Sequence, residues 1–220
     1  MDLSGKRIAV IGGTGKLGAA LAWRFARSGL DVIVGSRSAE SAIECAAGIG
    51  KGAQGMTNAD AAAAGDVVLL AIPFAAQDAT AAEIAPHVAG KIVIDTSVPL
   101  KPPAVMRVQL PPEGSAAQRL QGLLGEAVTV ISAFHSVAAH KLATDAVVDC
   151  DVLVFGNDKE ARSVGIALAD AAGLRGLHGG ALANSAAAEA LTSVLIFLNK
   201  TYQVDGAGIR ITGALREAAA

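Results

Sequence analysis

The feature that most constrains this chain is Gly13-Thr14-Gly15-Lys16-Leu17-Gly18, a GxGxxG pattern that follows the apolar run Ile8-Ala9-Val10-Ile11. Glycines at this spacing allow a tight turn, let the backbone approach a pyrophosphate, and let the following helix pack close to the sheet. N–H groups at the helix start then face the phosphates, helped by the helix dipole. With 25 glycines in the chain the pattern alone says little. Its place between a strand and a helix, close to the N-terminus, points to a dinucleotide-binding Rossmann fold.

The remaining pattern agrees. Short apolar runs at 7–11, 31–35, 66–72, 91–95, 127–133, 151–155 and 174–177 read as strands, with a short tail strand at 208–212. Helical patterns fill 16–28, 38–49 and 75–84, the stretch between 155 and 174, and 185–200. Asn157 or Asp158 is the expected cap of the fourth of these helices and Asn184 of the last, with Gly29 and Gly173 as stops. The segment 99–115 holds five of the seven prolines and reads as a surface loop. The expected architecture is α/β, a doubly wound, mostly parallel sheet extended by extra strands. Residues 1–181 form the nucleotide-binding domain and 182–220 a small C-terminal helix-strand segment. Leu191, Val194, Leu195 and Leu198 make an apolar stripe expected to be buried within that segment or across a dimer contact.

The end of the second strand selects the nucleotide. An NAD site usually carries Asp or Glu there, accepting from the ribose hydroxyls. This chain has Gly35-Ser36-Arg37. Arginine pairs bidentately with a 2′-phosphate and stacks on the adenine, and serine donates to the same phosphate. Thr14 adds a hydroxyl from the glycine loop. NADP is therefore the expected nucleotide.

Composition excludes several classes. Hydrophobic residues make up 52% and mean hydropathy is +0.48, yet the longest run without Asp, Glu, Lys or Arg is 127–140, too short for a bilayer core of about 30 Å. The N-terminal residues have no signal-peptide pattern, so the cytoplasm is expected. The 18 basic and 20 acidic side chains are scattered, and no basic stripe suggests nucleic acid. Cys45 and Cys150 read as small buried hydrophobes, and there is no metal signature. No GxSxG, paired-carboxylate or Cys-His constellation points to hydrolysis.

Other strand ends should line the ligand crevice. Ile72-Pro73 and Val98-Pro99 would lie near a nicotinamide, and Ala133, His135 and Val137 form a third edge. His135 is a candidate substrate contact or acid/base group, and a structural role fits it equally well. The acceptor stays open at this level. An NADPH-dependent reductase of a flavin, pterin or ferric chelate fits the same residues, as does a non-catalytic NADP-binding sensor or subunit.

Taken together, residues 11–18, Val34-Gly35-Ser36-Arg37, Ser132-Ala133-Phe134-His135, Gly179–Ser185 and Glu189-Ala190-Leu191-Thr192 resemble the F-420-dependent NADP reductases. The resemblance runs in order along nearly the whole chain. It implies reversible hydride transfer between NADP(H) and the 5-deazaflavin coenzyme F-420 in a cytoplasmic homodimer. It also implies that Thr14, Ser36 and Arg37 hold the NADP phosphate, and that the loops at Pro73, Val98 and His135 receive the deazaflavin, with His135 in a positioning role. Relatives often carry a lysine shortly after the Ser-Arg pair where this chain has Ser41, which weakens the phosphate grip without changing its identity.

Overall fold

The computed structural model describes residues 3–215. Strand β1 (Arg7–Ile11) leads into helix α1 (Lys16–Arg27), and β2 (Asp31–Ser36) into α2 (Ala39–Ile49). Then come β3 (Gln54–Thr57), α3 (Asn58–Ala64), β4 (Val67–Leu70), α4 (Gln77–Ile84) and β5 (Ile92–Asp95). The second half contains α5 (Ala116–Leu124), β6 (Thr129–Ser132), the short α6 (Ala139–Leu142), β7 (Asp151–Phe155), α7 (Lys159–Ala171), β8 (Arg175–Gly180) and α8 (Ser185–Tyr202).

The strands form one eight-stranded sheet in the order β3-β2-β1-β4-β5-β6-β7-β8. All neighbours run parallel except β6 and β7, which meet antiparallel at Ser132 and Phe155. Alternate residues of each strand face opposite sides, as the pleat requires. Ile8, Val10, Val32 and Val34 pack under α1, α2 and α7. Ala9, Ile11, Ile33 and Val68 pack under α3, α4 and α5. Covering both faces is what allows strands this uniformly apolar. The chain winds outward from β1 through β2 to β3, then returns to place β4 on the other side of β1. At such a reversal the connecting loops part, and a crevice opens beyond the strand C-termini.

Several boundaries differ from the sequence reading. Strand β3 and helix α3 were not expected, because Gln54-Gly55-Met56-Thr57 contains one β-branched residue and the alanines after it carry no periodic stripe. Helix α5 follows the proline-rich segment directly, with the Ser115 hydroxyl accepting from the Gln118 N–H at 3.0 Å. A single 3-10 turn, Phe74–Ala76, precedes α4. The expected tail strand at 208–212 is absent; that segment is held by single bonds, such as Asp151 N–H to the Ile209 carbonyl at 2.8 Å. Asn184 does not cap α8. It is itself helical, at the end of a 3-10 turn, and its side chain donates to the Gly179 carbonyl.

Of the apolar stripe of α8, Leu195 is buried and Leu191 and Leu198 are partly buried within the chain. The buried side of the helix is Ser185, Ala188, Glu189, Ser193 and Leu195, whereas Val194 is 42% exposed and Phe197 50%. Glu189 sets this rotation by accepting from the N–H groups of Ala116 (2.6 Å) and Ala117 (3.2 Å) at the start of α5. By length and composition Leu182–Tyr202 could cross a membrane, but its central carboxylate is spent on protein donors.

The approach of α1 to the loop before it gives a direct test. A Cβ on Gly18 would lie 2.5 Å from the Gly12 carbonyl oxygen and 2.8 Å from the Gly13 Cα, both rigid backbone. Gly18→Ala should cost about 1–3 kcal/mol in urea unfolding. A variant as stable as the parent would show that the helix does not sit this close.

Candidate functional site

At the end of β1 the chain turns through Gly12, whose φ of +73° suits glycine. A side chain there would strike the Ala71 carbonyl oxygen at 2.7 Å and Ile72 at 2.8 Å. The loop is pinned to the sheet by Gly13 N–H to the Gly35 carbonyl (2.9 Å) and to itself by Gly15 N–H to the Gly12 carbonyl (2.9 Å). Helix α1 starts at Lys16 with no side-chain cap and no acidic residue in its first turn. Its first N–H groups and the positive end of its dipole are thus left for an anion.

The end of β2 stands beside this loop. Ser36 is buried, and its hydroxyl lies 3.4 Å from that of Thr14. Arg37 is exposed and, among the described residues, has no ion-pair partner. Gly12, Thr14, Gly15, Ser36, Arg37, Ile72 and Pro73 line one cleft of about 380 Å³. Gly13, Lys16, Leu17 and Gly18 do not line it: the Lys16 side chain borders an apolar groove with Trp23 and Ile49, and Leu17 packs against the core.

Asn58, Ala76, Ala79, Thr80 and Glu83 complete the cleft, and the sequence reading did not include them. Asn58 is buried and its Oδ1 accepts from the Gly12 N–H at 3.4 Å. A signal was available. Thr57 caps α3, its hydroxyl accepting from the Asp60 N–H (3.2 Å) and donating to the Asp60 carboxylate (2.7 Å).

The two expected nicotinamide edges are tied together from below. Asp95, fully buried at the end of β5, accepts from Gln77 Nε2 (3.1 Å) and from the Ser97 N–H (3.0 Å). The Ser97 hydroxyl reaches the Ile72 carbonyl at 3.4 Å, and the Thr96 hydroxyl reaches that of Leu70 at 2.8 Å. Burial pushes the Asp95 carboxyl above its ordinary range. Burial likewise raises Glu189 to about 7, with Asp95 adding to the effect.

The third edge is placed differently. Ala133 is buried in the core, Pro99 is buried, and Val98 is partly exposed. The His135 imidazole turns inward, 2.7 Å from the Ser132 hydroxyl and tilted against Phe155. With Val137 it borders a separate cavity of about 10 Å³. Burial lowers its pKa to about 4, so it is neutral at pH 7. Its carbonyl accepts from the Thr192 hydroxyl at 3.0 Å. An uncharged, inward-facing ring suits holding this loop in place better than proton transfer.

The arrangement is therefore an anion-receptive helix start, a hydroxyl pair with an arginine outside any ion pair among the described residues, and an edge of small and apolar residues at Ala71, Ile72, Pro73 and Ala76. No group of three or more metal-ligating side chains occurs among the described residues. Such a site can bind a phosphorylated dinucleotide and hold its reactive end.

Comparisons with known proteins agree with this geometry. Residues 7–99 match the family described as "NADP oxidoreductase coenzyme F420-dependent". The chain is 41% identical over 223 residues to the "F420-dependent NADP reductase" of Methanocaldococcus jannaschii, covering 94% of this chain and 98% of that one. It is 42% identical over 220 residues to the protein of the same name from Methanothermobacter thermautotrophicus, covering 94% of each. Among solved structures, one from Arthrobacter sp. FB24 superposes with a TM-score of 0.83 at 24% identity, covering 95% of this chain and 100% of that one. Mycobacterium tuberculosis 3-hydroxyisobutyrate dehydrogenase gives 0.63 at 16% identity, covering 90% and 67%. Both of these likenesses concern the fold.

The buried imidazole makes stability depend on pH. Its folded pKa of about 4 lies below the usual 6.5, so between those values the unfolded chain binds more protons. Stability from this group is full above 6.5 and is lost as pH falls to 4, amounting to about 3 kcal/mol. His135→Gln cannot titrate, so the stability difference between parent and variant should shift by about that amount between pH 7 and pH 4, against the parent. A difference that does not change with pH would mean the ring is hydrated.

Proposed function

The chain belongs to the F420-dependent NADP reductase family, and from that premise we propose that it is an oxidoreductase moving hydride reversibly between NADP(H) and the 5-deazaflavin coenzyme F-420. When bound together, the two coenzymes supply the redox chemistry, exchanging a hydride between ring carbons. The protein's part is to bind, orient and keep water out.

The observation that carries the nucleotide assignment is Arg37, unpaired beside the Thr14–Ser36 hydroxyl pair and across from the glycine loop. A carboxylate at that strand end would favour NAD; a free guanidinium and two hydroxyls favour a 2′-phosphate. The uncapped start of α1 takes the pyrophosphate. The nicotinamide then extends over Ile72 and Pro73 towards Val98 and Pro99. Asp95, Gln77, Thr96 and Ser97 keep those edges at a fixed separation. The loop from Ala133 to Val137 bounds the deazaflavin side, with His135 stiffening it from within.

Two further points complete the reading. The molecule acts as a homodimer through α8 and the segment that follows it. Val194, Phe197, Tyr202 and Val204 are exposed on or just after α8, and Val108 adjoins them because the Arg107 carbonyl accepts from the Ser193 hydroxyl. Large apolar side chains clustered in sequence and left exposed in one chain support such a contact. The enzyme works in the cytoplasm, a reducing compartment that suits the free thiols of Cys45 and Cys150.

Purified protein should oxidise NADPH when F-420 is added, and reduce NADP with the reduced coenzyme. Turnover with a flavin, pterin or ferric chelate but none with F-420 would overturn the acceptor. Arg37→Asp should weaken NADP binding about 30- to 150-fold, equivalent to about 2–3 kcal/mol, because a charge-assisted contact becomes a repulsion. NAD binding should change far less, and equal losses for both nucleotides would put the phosphate site elsewhere. Light scattering should give twice the chain mass of 21.9 kDa; a clean monomer at micromolar concentration would contradict the dimer.

A further inference from the structure

The cleft contains one group that phosphate binding leaves without a task. Its lining runs from the glycine loop past Ser36 and Arg37 to Asn58, Ala76, Ala79, Thr80 and Glu83. Glu83 is the one carboxylate among these lining residues. A carboxylate near a pyrophosphate or a 2′-phosphate would oppose binding through like-charge repulsion. The phosphates, however, are assigned to α1, Thr14, Ser36 and Arg37, whereas Glu83 sits two turns along α4.

Asn58 fixes where Glu83 stands. Its Oδ1 accepts from the Gly12 N–H, so its amide nitrogen points away and donates to Glu83 Oε2 at 3.3 Å. This bond holds Glu83 towards the nucleotide loop. Among the described residues its second oxygen has no protein partner. Around it, Ala76 and Ala79 have short side chains and Arg37 offers a planar guanidinium. Small walls and a planar cation suit a flat aromatic ring.

We propose that Glu83 reads the base of the nucleotide by accepting the exocyclic amino N–H of adenine, so that the cleft selects adenine over hypoxanthine. The inference rests on the NADP reading above. A carboxylate is an acceptor only. Adenine presents a donor at this edge. Hypoxanthine presents a carbonyl oxygen at the same place, which the carboxylate repels and leaves unpaired. Discrimination arises more from that mismatch than from the bond gained.

Calorimetric titration of NADP and of nicotinamide hypoxanthine dinucleotide phosphate into the parent and into Glu83→Gln tests this. Glu83 is exposed, so the variant keeps the fold. The parent should bind NADP about 10- to 100-fold more tightly than the hypoxanthine analogue. In Glu83→Gln, whose amide both donates and accepts, the ratio should fall to within about threefold. Equal affinities in the parent, or the same ratio in the variant, would overturn the role of Glu83 while leaving the NADP site intact. Failure of the parent to bind NADP at all would overturn the nucleotide reading and this inference together.

Discussion

The structure depends on one close approach. Gly12 passes so near the end of β4 that a methyl group would overlap the Ala71 carbonyl, and Gly18 brings α1 equally close to the same loop. With no side chains in between, the start of α1 stands directly over the strand ends, and its first N–H groups remain without partners in the helix. An anion-receptive point is thereby fixed relative to β1, β2 and β4. Every other part of the site is measured from it.

Two kinds of polar group surround that point, and their placement divides the work. Thr14, Ser36 and Arg37 are left open to the cleft, where a charged ligand gives up its hydration only if the protein supplies donors. Asp95, Gln77 and Glu189 are buried and satisfied by one another's neighbours or by helix N–H groups. They hold the Ile72 and Ser97 edges and anchor α8 to α5. The first group offers donors to a ligand; the second keeps the edges rigid. Hydride transfer needs both, since it depends on the separation and alignment of two rings more than on any acid or base.

The parts of this arrangement that sequence reveals are those set by local chemistry. Gly13, Gly15 and Gly18 between an apolar strand and a helix, and Ser36-Arg37 after the next strand, carry their meaning in a few adjacent residues. Helix α7 was similarly legible, because Asp158 and Gly173 bracket it. What escaped depends on distant partners. Strand β3 forms because β2 offers it an edge, not because Gln54-Gly55-Met56-Thr57 favours extension. Asn58 and Glu83 reach the cleft only through the packing of α3 and α4. The stripe on α8 is visible in the sequence, but which of its residues are covered within one chain is decided by the bond of Glu189 to a helix about 70 residues earlier in the chain. The inward orientation of His135 follows from Ser132 and Phe155, which no spacing discloses.

Hydride transfer in the proposed reaction requires that this cleft bring a nicotinamide and a deazaflavin ring into direct contact. Single turnover with NADPH deuterated at one face of the nicotinamide C4, followed by mass and NMR analysis of the reduced F-420, tests it most directly. Deuterium from one face should appear on the deazaflavin carbon with retention of the label and a single stereochemistry. Label lost to water, or transferred from both faces alike, would contradict the account.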